Sequence, residues 1–124
     1  MVFLLIRMKD IHSLKNTSQF REVYEKGRSY ANSLLVVYAL AGDGEDQDQK
    51  LGISVSKKVG NSVVRHRVKR LIKESYRLNE GRFLTGYDLV YIARVSSNDK
   101  SYRDIEKSLL HVSRKMKILG EADS

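Results

Sequence analysis

Residues 57–77, KKVGNSVVRHRVKRLIKESYR, carry most of the information about how this chain folds and what it binds. They hold eight lysine or arginine residues and one glutamate, a net charge of +7 out of the +8 of the whole chain. From residue 62 onward, apolar side chains recur with the period of a helix. The pattern predicts an amphipathic helix, with one face in a hydrophobic core and a row of cations on the other.

The two predicted faces of this helix are defined by their residues. The core face comprises Val64, Val68, Leu71, Ile72 and Leu78, with Ser75 as a small filler. The cationic face comprises Arg65, Lys69, Arg70, Lys73 and Arg77, with Arg67 at its border. Asn61 or Ser62 is expected to cap the first turn, and Gly60 to allow a sharp bend before it.

A charged helix face is usually just a solvated face, and that explanation is the main alternative here. Solvated faces normally mix positive and negative charges, because like charges one turn apart repel each other. Cations accompanied by a single carboxylate incur that repulsion, and a bound polyanion would relieve it. A nucleic-acid backbone is therefore the partner that we expect for this face.

Residues 17–26 are predicted to form a short helix that is capped by Asn16 or Thr17 and followed by Gly27 at C′. Its apolar stripe consists of Phe20, Val23 and Tyr24. Aromatic rings one turn apart are more often core residues than a platform for a ligand. A stripe that lies half in the core and half in a groove would suit both roles.

Residues 29–40 and 51–56 are rich in side chains that favour β-structure. The first segment is expected to hold a short edge strand, a break at residues 31–33 and a strand at residues 34–40. On that strand, Leu34, Val36, Tyr38 and Leu40 should share one face. The acidic segment AGDGEDQDQ at residues 41–49 reads as a turn, so the two flanking strands are predicted to pair as an antiparallel hairpin.

The last third of the chain is predicted to contain a strand at residues 87–95 and a final helix. Ser101 and Asp104 have the spacing of a capping box for that helix. Its apolar stripe is Ile105, Leu109, Val112 and Met116, and His111 beside it is interpreted as structural. The order α-β-β-β-α-β-α indicates a single α+β domain, residues 1–124, with a mixed central sheet packed by helices.

Composition narrows the class of protein further. With 124 residues, of which 41% are hydrophobic, the chain is long enough for one domain with its own core. The absence of cysteine excludes disulfides and thiol chemistry and is compatible with a cytoplasmic location. The apolar opening is too short to span a bilayer, so no membrane partner is expected. Residues 1–12 are expected to be disordered or an over-extended start before Met8, and residues 118–124 a tail.

Catalytic motifs are missing from the chain. It contains no GxSxG, HExxH or Walker A sequence. Asp88 and Glu74 are the carboxylates nearest to the positive charge, and isolated carboxylates make a poor two-metal nuclease. His66 could act as an acid or base, but an RNA contact or a plain surface position is favoured. We therefore predict a binding protein without catalytic residues or metal ligands.

The segment SVSKKVGNSVVRHRVKRLIKESYR, residues 54–77, resembles the signature of the bacterial ribonuclease P protein subunit. In that signature a Lys-Lys-(Ile/Val)-Gly-Asn turn precedes a helix carrying Arg-Asn-Arg. The likeness spans about residues 13–117 and includes Phe20, Val23, Tyr24, Gly27, residues 31–32, Tyr38 and residues 52–56. It implies a ribosomal protein S5 domain 2-like fold, with a left-handed βαβ crossover that the general handedness rule would not predict.

The resemblance implies the RNA-binding protein subunit of an endoribonuclease. Its catalytic RNA uses Mg²⁺ to remove the 5′ leader from precursor tRNA, and the protein binds that RNA and the leader and lowers the Mg²⁺ requirement. The protein alone would not cleave RNA, and no small-molecule substrate is expected. By position, the RNA-binding motif would comprise Lys57, Lys58, Asn61, Arg65, His66, Arg67, Lys69, Arg70 and Lys73. The leader-binding cleft would comprise Phe20, Tyr24, Val36, Tyr38 and Ser54.

Two positions depart from the family pattern. His66 stands where the family usually has Asn, and an imidazole cannot present the geometry of an amide. Tyr24 replaces a common Phe, which keeps the ring and adds a hydroxyl. The alternatives are a generic RNA-binding module, which would not need Phe20 and Tyr24 at a groove, a protein-only nuclease, and a DNA-binding helix.

Overall fold

The computed structural model describes residues 11–13, 17–42 and 49–120. In this part of the chain, one five-stranded sheet has the order β1-β4-β5-β3-β2. Its strands are β1 (Ile11–Ser13), β2 (Arg28–Ala31), β3 (Leu35–Ala41), β4 (Gln49–Ser54) and β5 (Tyr87–Ala93). The helices are α1 (Thr17–Lys26), α2 (Ser62–Leu78) and α3 (Tyr102–Lys115), with short 3₁₀ turns at Glu80–Arg82 and Val95–Ser97.

The predicted hairpin of β3 and β4 is wrong, because β5 lies between these two strands. It pairs antiparallel with β3 and parallel with β4. Leu89, Val90 and Tyr91 are consecutive in β5 and fully buried. A strand with both faces apolar requires a central position, and that requirement outweighs the proximity of β3 and β4 in the sequence. The parallel crossover β4–α2–β5 follows, and its hand stays a prediction from the resemblance. The acidic turn lies largely outside the described residues.

The two ends of the domain extend further than predicted. Residues 11 and 12, expected to precede the folded part, belong to β1, which pairs in parallel with β4. Ile118, expected in the tail, is fully buried, and Leu119 forms an isolated bridge with Phe83. Burial of the apolar Ile118 against the core explains why the chain stays on the domain after α3. The predictions about residues 1–10 and 121–124 lie outside the described residues.

The main core lies between one face of the sheet and the helices α2 and α3. Val68, Ile72 and Ser75 are buried as predicted, but Leu78 is 53% exposed and Tyr76 takes its place in the core. The Tyr76 ring packs on Phe83 and Tyr91, with ring centroids 4.7 and 6.5 Å away. Leu34 also packs in this core, since β3 begins one residue later and the strand alternation does not extend to it.

Two of the three predicted helix caps are confirmed, and the third involves Asn16, which lies outside the described residues. The Asn61 side chain caps α2 by accepting from the Val64 N–H at 3.0 Å. Ser101 and Asp104 form a reciprocal capping box at the start of α3. Ile105, Leu109, Val112 and Met116 are buried in the core, as the α3 stripe predicted. Local sequence signals were sufficient here, because a cap acts on backbone groups within one turn.

The turn between β2 and β3 is held to α3 through Asn32. Its Oδ1 accepts from the Leu34 N–H at 3.1 Å, the Leu35 N–H at 2.9 Å and the Ser108 hydroxyl at 2.8 Å. Its Nδ2 donates to the Ser108 carbonyl and to His111 Nδ1, both at 3.1 Å. Asn32 therefore fixes the start of β3 relative to α3.

The opposite face of the sheet is covered in part by α1. Val23 and Val90 are buried between them, and Phe20, Tyr38, Leu40 and Ile92 are partly buried around this pair. Gly27 ends α1 where a Cβ atom would lie 2.5 Å from the Val23 carbonyl oxygen and 2.8 Å from that of Ala39. This close approach sets α1 against the sheet and leaves part of that face only partly buried.

Candidate nucleic-acid interface

The exposed face of α2 carries most of the predicted RNA-binding motif. Lys57 and Lys58 are exposed in the turn before the helix. His66, Lys69, Arg70 and Lys73 are exposed along α2. An open groove on this face is lined by Ser62, Val63, His66, Arg67 and Arg70. Val63, which the sequence analysis did not single out, is 76% exposed and adds an apolar side chain among these cations.

Two arginines of the motif are held in place by backbone carbonyls. Arg65 Nη1 donates to the Gly60 carbonyl at 3.1 Å, and Arg67 Nη2 donates to the Lys100 carbonyl at 2.8 Å. Both side chains are half-buried. A guanidinium group has five N–H donors, so each arginine keeps further donors for a phosphate. Because the side chains are already ordered, binding would cost less conformational entropy than for free arginines.

The cap at Asn61 limits the part of its side chain that can contact RNA, and Arg77 has a role that the sequence analysis did not assign to it. The Asn61 side-chain oxygen is engaged in capping α2, so the amide NH₂ is the part suited to an RNA contact. Arg77 was placed on the cationic face, and that placement is wrong: its side chain is 6% exposed and paired with Glu74. Glu74 is the one carboxylate of residues 57–77, and it pairs with Arg77, whose side chain is not exposed to solvent.

This difference yields a prediction for Arg77→Ala compared with Lys73→Ala. We expect Arg77→Ala to lower the free energy of unfolding by about 2 kcal/mol, because it removes a buried side chain and the partner of Glu74. Lys73→Ala should leave stability within about 0.5 kcal/mol and lower the salt dependence of RNA binding by about one phosphate contact. Urea denaturation and RNA titrations at several salt concentrations measure both. A lower salt slope for Arg77→Ala with unchanged stability would contradict the assignment of Arg77 to a buried pair with Glu74.

The structure brings together all five residues predicted for the leader-binding cleft. Phe20 and Tyr24 come from α1, Val36 and Tyr38 from β3, and Ser54 from β4. The ring centroids of Phe20 and Tyr24 are 6.2 Å apart. Those of Tyr24 and Tyr38 are 5.0 Å apart in an edge-on arrangement. We call this surface the sheet-face cleft.

The floor of the sheet-face cleft is a row of three residues on adjacent strands. Val36 pairs with Ile92 across β3 and β5, and Ile92 pairs with Ser54 across β5 and β4. Each of the three is only partly buried. Ile92 was missed in the sequence analysis because β5 is apolar on both faces, and alternation alone does not tell which side chains face α1. The pairing register supplies that information.

The Tyr24 hydroxyl, which the family pattern does not require, is hydrogen-bonded to Ser54. Burial raises the pKa of Tyr24, the hydrogen bond to Ser54 offsets part of that rise, and the neighbouring Tyr38 adds to it. The hydroxyl therefore stays protonated at neutral pH. It gives one wall of an otherwise aromatic cleft a hydrogen-bonding group.

A groove of about 640 Å³ lies past the ends of β4 and β5, and its lining includes Ser56 and Arg94, which follow Ser54 and Ile92 of the sheet-face cleft by two residues each. We call it the strand-end groove; its polar lining includes Ser33, Ser56, Lys58, Arg94 and Ser96. Arg94 follows Ile92 by two residues and donates from Nη1 to the Asn32 carbonyl at 3.0 Å. The groove thus adds two cations, Lys58 and Arg94, to the end of the cleft. Arg94 lies far from the RNA-binding motif in the sequence, so only the folded structure shows that it lines this groove.

Two features are absent from the part of the chain that the structure describes. Its helices include none that is both long and apolar enough to span a bilayer. In residues 11–13, 17–42 and 49–120, no three or more His, Cys, Asp or Glu side chains cluster so that they could hold a metal ion.

Comparisons with known proteins agree in the family that they indicate. The family model described as Ribonuclease P matches residues 8–117. The ribonuclease P protein component of Alkaliphilus metalliredigens is 53% identical over 113 residues, which cover 91% of this chain and 100% of the relative. That of Clostridium novyi is 51% identical over 105 residues, or 85% and 93% of the two chains.

Solved structures show the same fold. The RNase P protein of Staphylococcus aureus superposes with a TM-score of 0.80 at 37% identity, covering 88% of this chain and 98% of that one. The RNase P protein of Thermotoga maritima gives a TM-score of 0.75 at 26% identity, covering 83% and 96%.

Proposed function

The chain belongs to the ribonuclease P protein family, and from this premise we propose how it works with RNA. Membership makes it the protein component of an endoribonuclease, with a role alongside RNA in processing the 5′ end of tRNA. In our proposal it binds the catalytic RNA along α2 and the 5′ leader of precursor tRNA in the sheet-face cleft. It thereby lowers the Mg²⁺ concentration that the catalytic RNA needs.

The exposed face of α2 suits the folded catalytic RNA. Lysines and arginines spaced along one side of a helix can neutralise successive phosphates, and this contact needs no base sequence. Arg65 and Arg67 are held at the flanks of that face by the Gly60 and Lys100 carbonyls. They would therefore position the RNA, while the mobile lysine side chains adapt to it.

The sheet-face cleft suits a single strand. It offers ring edges and faces from Phe20, Tyr24 and Tyr38 on which unpaired bases can stack. Stacking of this kind contributes about 1–3 kcal/mol per base and tolerates most sequences. Mature tRNA has no leader to place there, so the cleft would favour precursor over product.

The observation that carries the proposal is the position of Lys58. It belongs to the predicted RNA-binding motif and also lines the strand-end groove, which lies where β4 and β5 of the cleft end. The two RNA surfaces therefore adjoin, and one small protein can hold the leader beside the catalytic RNA. Two polyanions brought together repel each other, and the protein cations would replace part of the Mg²⁺ that otherwise screens this repulsion.

The direct test is cleavage of precursor tRNA at low Mg²⁺ by the ribonuclease P RNA of a relative such as Alkaliphilus metalliredigens, with and without this protein. We expect strong stimulation by the protein and a 5′-phosphate on the tRNA product. Protein without RNA and mature tRNA with the complete enzyme serve as controls, and neither should give cleavage.

Two other outcomes would replace the proposal. Tight RNA binding without stimulation would indicate a generic RNA-binding module. Cleavage by the protein without RNA would reveal an active site of its own.

A further inference from the structure

A further groove, of about 460 Å³, lies on the far side of the turn at residues 32–34. We call it the α3 groove, because one wall is the exposed side of α3. Its lining includes Asn32, Ser33, Lys100, Asp104, Lys107 and His111. None of Lys100, Asp104, Lys107 and His111 belongs to the basic motif or to the sheet-face cleft.

The polar groups of the α3 groove favour an anionic ligand. Asp104 is its carboxylate, and it is engaged in the capping box, where it accepts from Ser101. Lys100 pairs with the exposed Asp99 at 3.6 Å, a weak surface ion pair that a phosphate could replace. Lys107 is exposed on α3. The lining therefore presents two cations whose carboxylate neighbours are engaged or loosely held.

His111 contributes a directed donor. Asn32 Nδ2 can only donate, so His111 Nδ1, 3.1 Å away, must be the unprotonated acceptor. In the neutral ring the proton is then on Nε2, at the other side of the imidazole. That N–H can donate to a phosphate oxygen, and the Asn32 hydrogen bonds hold the ring in this orientation.

An aromatic ring lies directly beside this donor. Tyr30, on the outer strand β2, contacts His111 with ring centroids 6.1 Å apart in an edge-on arrangement. Its side chain is 38% exposed, so a face of the ring is accessible to a ligand. Single-strand-binding proteins combine a positively charged groove with aromatic rings on which bases stack.

The α3 groove adjoins the sites already described. It shares Asn32 and Ser33 with the strand-end groove, which continues the sheet-face cleft. A chain that leaves the cleft past Lys58 and Arg94 can therefore cross the turn at residues 32–34 and reach Lys107. Arg67 of the basic motif donates to the Lys100 carbonyl, so this path also borders α2.

We propose that the α3 groove is an additional binding site for single-stranded RNA and takes leader nucleotides beyond those held in the sheet-face cleft. The proposal rests on the proposed leader binding in that cleft. A leader strand is favoured over the catalytic RNA because the groove continues the cleft, so one extended chain can occupy both. Phosphates would contact Lys100, Lys107 and His111 Nε2, and one base would stack on Tyr30.

The test compares precursor tRNAs with leaders of about 4 and about 16 nucleotides, the range of site sizes in small single-strand-binding domains. Each is bound to the holoenzyme assembled with wild-type protein, Lys107→Ala, Tyr30→Ala or the double variant. Lys115→Ala is the matched control, because Lys115 is an exposed lysine of α3 outside the groove. We expect the wild-type holoenzyme to bind the long-leader precursor about tenfold more tightly than the short-leader precursor. One stacked base and one phosphate contact are sufficient for this difference.

The single variants should reduce that ratio to about threefold, and the double variant should abolish it. Binding of the short-leader precursor and of mature tRNA should stay unchanged, and Lys115→Ala should keep the wild-type ratio. The proposal is overturned if the wild type shows no effect of leader length. It is equally overturned if Lys107→Ala weakens all three RNAs alike, or if Lys115→Ala reduces the ratio as much.

A Tyr38→Ala variant separates this proposal from the one on which it rests. If Tyr38→Ala leaves binding of the short-leader precursor unchanged, leader binding in the sheet-face cleft itself is wrong. If Tyr38→Ala weakens that binding while the groove variants keep the wild-type ratio, only the α3 groove is wrong.

Discussion

Replacement of Lys69, Arg70 and Lys73 together by alanine should weaken assembly with the catalytic RNA by about a hundredfold near physiological salt. The three side chains are exposed on one face of α2, and each is expected to neutralise one phosphate. Loss of three contacts should also lower the slope of log affinity against log salt by about 2–3, at about 0.7–0.9 per phosphate. Binding titrations at several salt concentrations measure both quantities.

The control for this triple variant removes the same charge elsewhere. Arg21, Arg103 and Lys115 are exposed and lie outside α2. Their replacement by alanine should reduce affinity only slightly, because distant surface charges are screened over roughly 8–10 Å. An equal loss in both triple variants would show that net charge, and not the α2 surface, controls assembly. A smaller effect of the same kind is expected for Arg65→Ala, whose side chain is held at the flank of the helix.

Phe20→Ala and Tyr38→Ala should each weaken binding of precursor tRNA to the holoenzyme by about tenfold while leaving mature tRNA unaffected. Each substitution removes a ring of the sheet-face cleft, and a stacked base loses about 1–3 kcal/mol. Tyr38 also packs on the buried pair Val23 and Val90, so its loss affects folding to some degree. Assembly with the catalytic RNA, which should stay normal, reports whether the variants are folded.

Tyr30→Ala is the matched control for the cleft variants when the precursor has a short leader. Tyr30 is a tyrosine of similar exposure to Tyr24, but it lies on the outer strand of the sheet. The holoenzyme with Tyr30→Ala should bind a short-leader precursor as tightly as the wild type does. If Phe20→Ala and Tyr38→Ala weakened precursor and mature tRNA equally, the cleft would not hold the leader.

The hydroxyl of Tyr24 shows how a departure from the family pattern becomes part of the site. From the sequence it adds only a polar group to a ring. In the structure it is hydrogen-bonded to Ser54 on β4, so the two hydroxyls form one polar position in the wall of the cleft. The partner could not be inferred from the sequence, because β4 and α1 meet only through the folding of the sheet.

The errors in assigning the faces of α2 share one physical origin. Helical spacing placed Arg77 on the cationic face. In the structure the Arg77 side chain is buried and pairs with Glu74, about one turn earlier, which spacing alone does not indicate. The same spacing gave Leu78 to the core, whereas the buried stripe runs through Val68, Ile72 and Tyr76. Which side chain becomes buried at the border of a stripe depends on the surface that the helix meets.

The sequence by itself determined the features that act within one or two turns of the chain. These are the caps at Asn61 and Ser101, the amphipathic helices α2 and α3, and the family to which the basic motif belongs. Only the tertiary structure decided that β5 separates β3 from β4, because a strand buried on both faces must lie inside the sheet. That insertion places Ile92 between Val36 and Ser54 and Arg94 at the end of the cleft. The cleft is therefore a product of strand order, which depends on contacts between residues far apart in the chain.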